Sequence, residues 1–246
     1  MNAYTNLAPY YGELMSHVDY AGWADFAQRH FARLNRPVKL VLDLACGVGA
    51  LSGILAERGY EVIGADASPD MLSVASANNI LHEKPPLFLC QPMQSLDLYG
   101  TVDAAVCSLD SLNYLPSLDT LKQALGRVCL FLEPGGLFLF DVRTPAHFAA
   151  MDGQAAVVET DRLYCVWQTD WNARALTARH SVSLFVQEGA LWRRINEEHR
   201  QRAYANDCWE ALLIEAGFTD VRLYGDRVWR RPRPDESRIF ISARKL

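Results

Sequence analysis

The chain has 246 residues, half of them apolar by count, and a formal net charge of −5. That allows one sizeable core and excludes a general nucleic-acid binder, which would need a basic footprint. Six cysteines without a Cys-x-x-Cys pair read as reduced cytoplasmic thiols, not as disulfides or metal ligands. No uncharged apolar stretch reaches membrane-spanning length, and Met1 to Asn6 show neither the basic start nor the apolar run of a signal peptide.

Residues 7–34 precede the first strand signal. Leu7 to Met15 is rich in aromatic residues and reads as a segment able to fold over a ligand as a lid. Tyr20, Trp23, Phe26, Ala27, Phe31 and Leu34 follow helical spacing, and Pro37 ends the segment. Lys39 to Leu44 is an apolar, β-branched run that stops at Gly47 and Gly49, after which Leu51, Ile54 and Leu55 recur at helical spacing. Strand, tight glycine turn and helix follow in that order. Such a turn lets the backbone approach a ligand and aims free helix N–H groups at its polar end. Tyr60 to Asp66 is a second short strand ending in a carboxylate, about 20 residues past the glycines and placed to accept from ribose hydroxyls.

A dinucleotide fingerprint wants a third glycine where this chain has Ser52, which disfavours an NAD-dependent dehydrogenase. The turn instead carries an acid, Asp43, four residues before Gly47. Asp43-Leu44-Ala45-Cys46-Gly47-Val48-Gly49 resembles motif I of class I S-adenosylmethionine (SAM)-dependent methyltransferases. The resemblance implies SAM as cofactor, its methionine part beside Asp43, Gly47 and Gly49, its ribose on Asp66, and Ala67 next to it. Tyr20-x-x-Trp23, with a tyrosine about ten residues earlier, is similar to the N-terminal cap of glycine N-methyltransferase-like enzymes. There Tyr11 or Tyr10 would approach the methionine end, with Trp23 also near the cofactor.

Ser68 and Pro69 open a helix with Met71, Leu72 and Ala75 on its apolar face. In the family Met71 packs on the adenosine; plain core is the alternative. Leu87 to Cys90 is the third strand. The family follows it with an acid that accepts from the adenine amino group, whereas this chain has Gln91-Pro92-Met93. Pro92 has neither carboxylate nor N–H, so adenine falls to the Met93 amide or to the Gln91 or Gln94 side chain.

Val102 to Cys107 is the fourth strand, and the loop Ser108 to Pro116 lies over the topological switch point of such a sheet. The resemblance puts Ser108 and Tyr114 on the cofactor side and Asp110 at a substrate-contacting position. The alternatives are a helix cap for Asp110 and a core aromatic for Tyr114. A helix through Leu118 to Val128 leads to the turn Glu133-Pro134-Gly135-Gly136 and the fifth strand, Leu137 to Arg143. Asp141 and Arg143 share a face of that strand. Arg143 matches a position that clamps a substrate carboxylate in the glycine N-methyltransferases, and a pair with Asp141 is the alternative.

Residues 150–203 lie outside the minimal fold and read as an inserted antiparallel cap, with alternating stretches at 163–171, 181–188 and 191–201 and a hairpin turn at Glu188-Gly189. The last stretch is polar on both faces, so it is a solvated edge or lines a polar cavity. Glu197 to Arg202, with Tyr204 following, resembles uncharacterised bacterial small-molecule methyltransferases of the domain 25 type over nearly the whole chain. His199 is a candidate general base, a surface position being the alternative. Asp207 and Glu210 read as a capping box, and Phe218 to Tyr224 and Ile239 to Ala243 as the last strands. The arginine-rich loop between them suits an anion or plain solvent.

The expectation is an α/β, Rossmann-like doubly wound sheet of seven strands, the last antiparallel. It forms a single methyltransferase domain over 1–246, with an N-terminal helical lid (7–34) and the β cap (150–203). The resemblance implies methyl transfer from SAM to an N, O or S atom of a small, anionic or amino-acid-like acceptor. The catalytic candidates are His199, Asp110 and Tyr114, with no metal. Neither nucleic acid nor membrane is expected as a partner, and the chain is expected as a cytoplasmic monomer or homodimer. A non-catalytic SAM-binding module is the alternative from another class.

Overall fold

In the computed structural model, which describes residue 4 and residues 6–246, the strand before the glycine turn is the centre of the sheet. β1 (Leu40–Leu44) is buried at all but its first residue. It pairs in parallel with β2 (Glu61–Asp66) on one side and β4 (Val102–Cys107) on the other. β3 (Leu87–Cys90) extends the sheet beyond β2, and β5 (Leu132–Arg143) beyond β4. Past β5 come β11 (Arg238–Lys245), antiparallel to it, and β10 (Phe218–Tyr224) at the edge. The order is β10-β11-β5-β4-β1-β2-β3, so the direction in which successive strands are added reverses between β1 and β4, although the two strands are parallel. In open α/β sheets that reversal leaves a crevice at the strands' carboxyl ends.

Both faces are covered because successive side chains of a buried strand point to opposite sides. Val41, Val106, Leu139 and Phe240 meet α2 (Tyr20–Phe31) and α3 (Ala50–Glu57) through Trp23, Phe26, Leu51 and Leu55. Leu42, Leu44, Phe138 and Phe140 meet α5 (Leu118–Phe131) and α7 (Cys208–Glu215) through Leu121, Leu125, Trp209 and Leu213. α4 (Pro69–Asn79) starts at Ser68, whose hydroxyl accepts the Met71 amide. α1 (Ala8–Leu14) lies against it, with Ala8 beside Met71 and Val48.

α6 (Pro145–Met151) leads from β5 into a second sheet of β6 (Ala155–Glu159), β7 (Leu163–Asn172), β8 (Thr177–Glu188) and β9 (Leu191–Arg202), paired antiparallel in chain order. Its inner face (Leu163, Cys165, Val182, Leu184, Val186, Ile195) packs on Leu7 and Leu14. The second sheet and the N-terminal segment therefore share one core. β9 is an edge strand with Ile195, His199 and Gln201 buried on its inner face.

Three local expectations differ. β6 is almost wholly exposed and carries no apolar alternation, which is why only three cap strands were foreseen. Glu133-Pro134-Gly135-Gly136 is a shift in register within β5 rather than a turn before it; Gly136 is required there, since a Cβ would lie 2.8 Å from the Glu133 carbonyl. The Asp207 capping box is absent. Asp207 is itself helical (φ −73, ψ −19), so its carboxylate does not reach back to the helix amides. Among the described residues no helix is long and apolar enough to cross a membrane.

Candidate functional site

After Leu44 the backbone is left-handed at Ala45 (φ 57), Gly47 (φ 56) and Gly49 (φ 72) before α3 begins. The two glycines answer different demands. A Cβ on Gly47 meets nothing within 4 Å, whereas one on Gly49 would lie 2.8 Å from Asn79 Nδ2 and 2.9 Å from Phe88 Cζ. Gly49 thus allows α3, α4 and β3 to close up, and it does not line the crevice; Gly47 does. Asp66, at the end of β2, accepts the Gly47 amide at 2.9 Å on one oxygen and the Ser68 amide at 2.8 Å on the other. Burial raises its pKa, and the backbone donors oppose that rise.

Asp43 lies inside β1 below the turn, fully buried and outside the crevice. One oxygen accepts from Ser52 Oγ at 2.6 Å, and the other has no partner among the described residues. Burial pushes its pKa up to about 7, against the pull of Ser52. A nearby cation would favour its ionised form. An orphaned carboxylate oxygen beside the turn therefore suits a ligand that carries positive charge.

The crevice is a cavity of about 280 Å³, close to the lower end of small-molecule sites. Ala45, Gly47, Asp66, Ala67, Ser68 and Met71 form one wall; Gln91 to Gln94 with Leu109, Ser111 and Tyr114 to Pro116 form the other; Tyr4 and Tyr11 complete it. Gln91 contributes to the wall, but its amide is engaged elsewhere. It accepts the Asp97 amide at 2.8 Å and donates to the Asp97 carbonyl at 3.1 Å. That corrects its expected use toward adenine. Met93 opens the short 3₁₀ turn Met93–Ser95, whose first N–H groups lack intrahelical acceptors.

Above the cavity the Tyr4 and Tyr114 hydroxyls are hydrogen-bonded to each other. The Tyr4 ring stands edge-on to Tyr11 at 5.3 Å and to His199 at 4.4 Å. Burial raises the pKa of all three phenols, which therefore stay neutral. His199 is 1% exposed and does not line the cavity; it packs against Tyr4, its Nε2 bound to Glu197 Oε2 at 2.9 Å. The surface alternative gives way to this buried position. Tyr10 is elsewhere, its hydroxyl accepting from Arg193 at 2.8 Å.

Beside the cavity, Leu109 and Asp110 are both left-handed (φ 56 and 51). Such strain persists only where the surroundings hold it. Here the Asp141 carboxylate holds it, accepting the Leu109 amide at 2.7 Å and the Asp110 amide at 3.1 Å. Asp141 also accepts from Trp23 Nε1 at 3.0 Å, which fixes Trp23 in the core (3% exposed) and away from the cavity where a cofactor role would need it. Arg238 bridges the two acids, donating to Asp141 and, at 2.8 Å, to Asp110. The Asp141–Arg143 pair, the alternative to the clamp, is thus replaced by Asp141–Arg238. Gln201 of β9 donates to Asp110 at 2.7 Å and accepts from His180 at 2.9 Å. Burial favours a neutral Asp110, yet Arg238 and Arg143 outweigh it and hold its pKa below the usual carboxylate value. Asp110, Arg143 and Ser108 do not line the cavity; Arg143 is half-buried next to it, with Nε 3.5 Å from Asp110. The arginines of the 226–236 loop find partners close by, Arg227 in Asp19 and Arg230 in Glu236.

Tyr4, Gln201 and Arg238 are the residues that motif and spacing did not single out. Tyr4 left one trace, as an aromatic residue in an otherwise polar start.

Comparison with known proteins agrees with this geometry. A family profile described as "Methyltransferase domain" matches residues 41–136. The chain is 34% identical to "Putative methyltransferase YqeM" of Bacillus subtilis (strain 168), over 98% of this chain and 97% of that one. It is 30% identical to "Putative methyltransferase GWCH70_2453" of Geobacillus sp. (strain WCH70), over 98% and 99% respectively. The crystal structure of a SAM-dependent methyltransferase from Clostridium acetobutylicum ATCC 824 superposes with a TM-score of 0.88 at 26% identity, covering 99% of both chains. This protein belongs to the class I SAM-dependent methyltransferases, an enzyme family with SAM as methyl donor.

Proposed function

We propose that the enzyme methylates an N, O or S atom of a small, anionic or amino-acid-like molecule. The observation that carries this is Arg143. Among the described residues its guanidinium makes no hydrogen bond of its own, its only ion-pair contact is 3.5 Å from Asp110, and 28% of the side chain is exposed beside the switch-point loop. Arg238 meanwhile makes the close ion pairs to both Asp110 and Asp141. A guanidinium fork left open in this way suits a carboxylate or phosphate.

Bound SAM supplies an electrophilic methyl on a sulfonium whose charge is discharged on transfer. The chain's part is to bind, orient and keep out water. Asp66 would offer its remaining lone pairs to the ribose hydroxyls, its two oxygens accepting the Gly47 and Ser68 amides. The buried Asp43 would favour the cationic end through its charge rather than by contact, Met71 would pack on the adenosine, and the Met93 amide would meet adenine where Pro92 has no donor. Tyr11 and Tyr4 cover the methionine end. Tyr114 presents the hydroxyl nearest the acceptor, Asp110 sets the shape of the loop, and His199 supports Tyr4. Residues 7–34 act as a lid and 150–203 as a cap on a single domain.

The test is a screen of carboxylate- and phosphate-bearing small molecules with methyl-labelled SAM, read by mass spectrometry. Turnover of such an acceptor that Arg143→Ala abolishes supports the clamp. Turnover left intact by Arg143→Ala overturns it.

A further inference from the structure

One carboxylate of the second sheet holds the segment that completes the cavity. Glu197 Oε2 accepts the Tyr4 amide at 2.8 Å and His199 Nε2 at 2.9 Å, while its Oε1 accepts the Asn6 amide at 2.8 Å. Both of these amide donors, just ahead of the lid, are backbone groups, so the grip does not depend on the side chains at 4 and 6. The Glu197 side chain is only 7% exposed, and a buried carboxylate needs such donors. Burial pushes its pKa up, but His199 and the two amides outweigh this and hold it low. What the grip fixes is Tyr4, which lines the cavity, touches Tyr11 and joins its hydroxyl to Tyr114.

We infer that Glu197 is a positioning residue that latches the N-terminal segment over the cofactor cavity, so that SAM enters and S-adenosylhomocysteine (SAH) leaves when its two amide bonds open. His199 belongs to the latch. With its Nε2 on Glu197 and its ring against Tyr4, it orients the carboxylate and supports the aromatic wall. The latch thus ties the N-terminal segment to β9 of the cap through these bonds. The inference rests on SAM lying in that cavity.

The experiment measures SAH release from the full-length enzyme by rapid-mixing chase with excess SAM, together with hydrogen exchange of the N-terminal peptide. A glutamine keeps one accepting oxygen and loses the other, so Glu197→Gln should release SAH about tenfold faster, and the Tyr4 and Asn6 amides should lose protection. Glu198→Gln is the control. It removes the same charge one residue along, where the partners are Arg200 and Arg179, and should release SAH at the wild-type rate. Release at the wild-type rate from Glu197→Gln, or equal acceleration by Glu198→Gln, overturns the latch. A wild-type enzyme that binds no SAH overturns the cofactor site itself, and the latch with it.

Discussion

The Asp66 carboxylate accepts the Gly47 amide at 2.9 Å, so the end of β2 and the turn after β1 hold each other in place. Removing the carboxylate frees that amide and Ser68's, and takes away the ribose acceptor. Asp66→Ala should weaken SAM binding at least about 100-fold by calorimetric titration, as expected for losing two charged hydrogen bonds. Equal affinity of variant and wild type would rule out the ribose assignment.

The two glycines of the turn should separate stability from binding. Gly49→Ala drives a Cβ against Asn79 and Phe88 at a positive φ, which should destabilise the unliganded protein by about 2–4 kcal/mol. Gly47→Ala meets no neighbour, so only the roughly 1 kcal/mol of a left-handed alanine applies and the larger loss should be in SAM affinity. Thermal melts and titrations of both variants check this; the opposite assignment of losses would refute it.

Asp43 gives a pH signature. Its pKa in the fold is raised to about 7, whereas in the unfolded chain it is about 3.9, so the native state binds more protons between those values. Stability should therefore fall as pH rises from about 4 to 7, by an amount on the order of 4 kcal/mol, and stay low above that. Asp43→Asn should flatten this slope and melt above wild type at pH 8. SAM binding near pH 7 should release protons from the wild type and fewer from Asp43→Asn, measured by calorimetry in two buffers of different ionisation enthalpy. Identical slopes for the two proteins would refute the assignment.

Arg238 and Arg143 should behave differently although they face each other across β11 and β5. Arg238→Met leaves Asp110 and Asp141 buried without their shared cation, a loss of about 3–5 kcal/mol, or roughly 10 °C in melting temperature for a chain this size. Arg143→Ala should change the melting temperature by only a few degrees and act on acceptor turnover. A mild Arg238→Met would show that the pair of acids is not held as described.

What was legible in the chain was local. The glycine turn, the acid that ends β2 and the Ser68 cap each lie within a few residues of the element they shape, so spacing reveals them. Tyr4 with Tyr114 and Arg238 with Asp141 are about a hundred residues apart. Their meeting is set by how the N-terminal segment docks and by the register of β11, which no spacing records. Arg143 lies on β5 as its spacing implies, but the alternative pairing with Asp141 fails because Arg238 arrives from the neighbouring strand. Trp23 and Gly49 fell within family-like motifs, yet packing against Asp141 and against Asn79 and Phe88 gives each a different task.

The antiparallel strand β11 lies between β5 and β10, although it is the last strand in the sequence. During synthesis every parallel strand leaves the ribosome before the one that completes the sheet. Until it docks, β5 keeps an open edge, and Asp110 and Asp141 lack the Arg238 guanidinium. The strained loop at Leu109 and Asp110, anchored on Asp141, thus gains its Arg238 cation only when the last strand arrives, which makes completion of the acceptor side a late event in the birth of the enzyme.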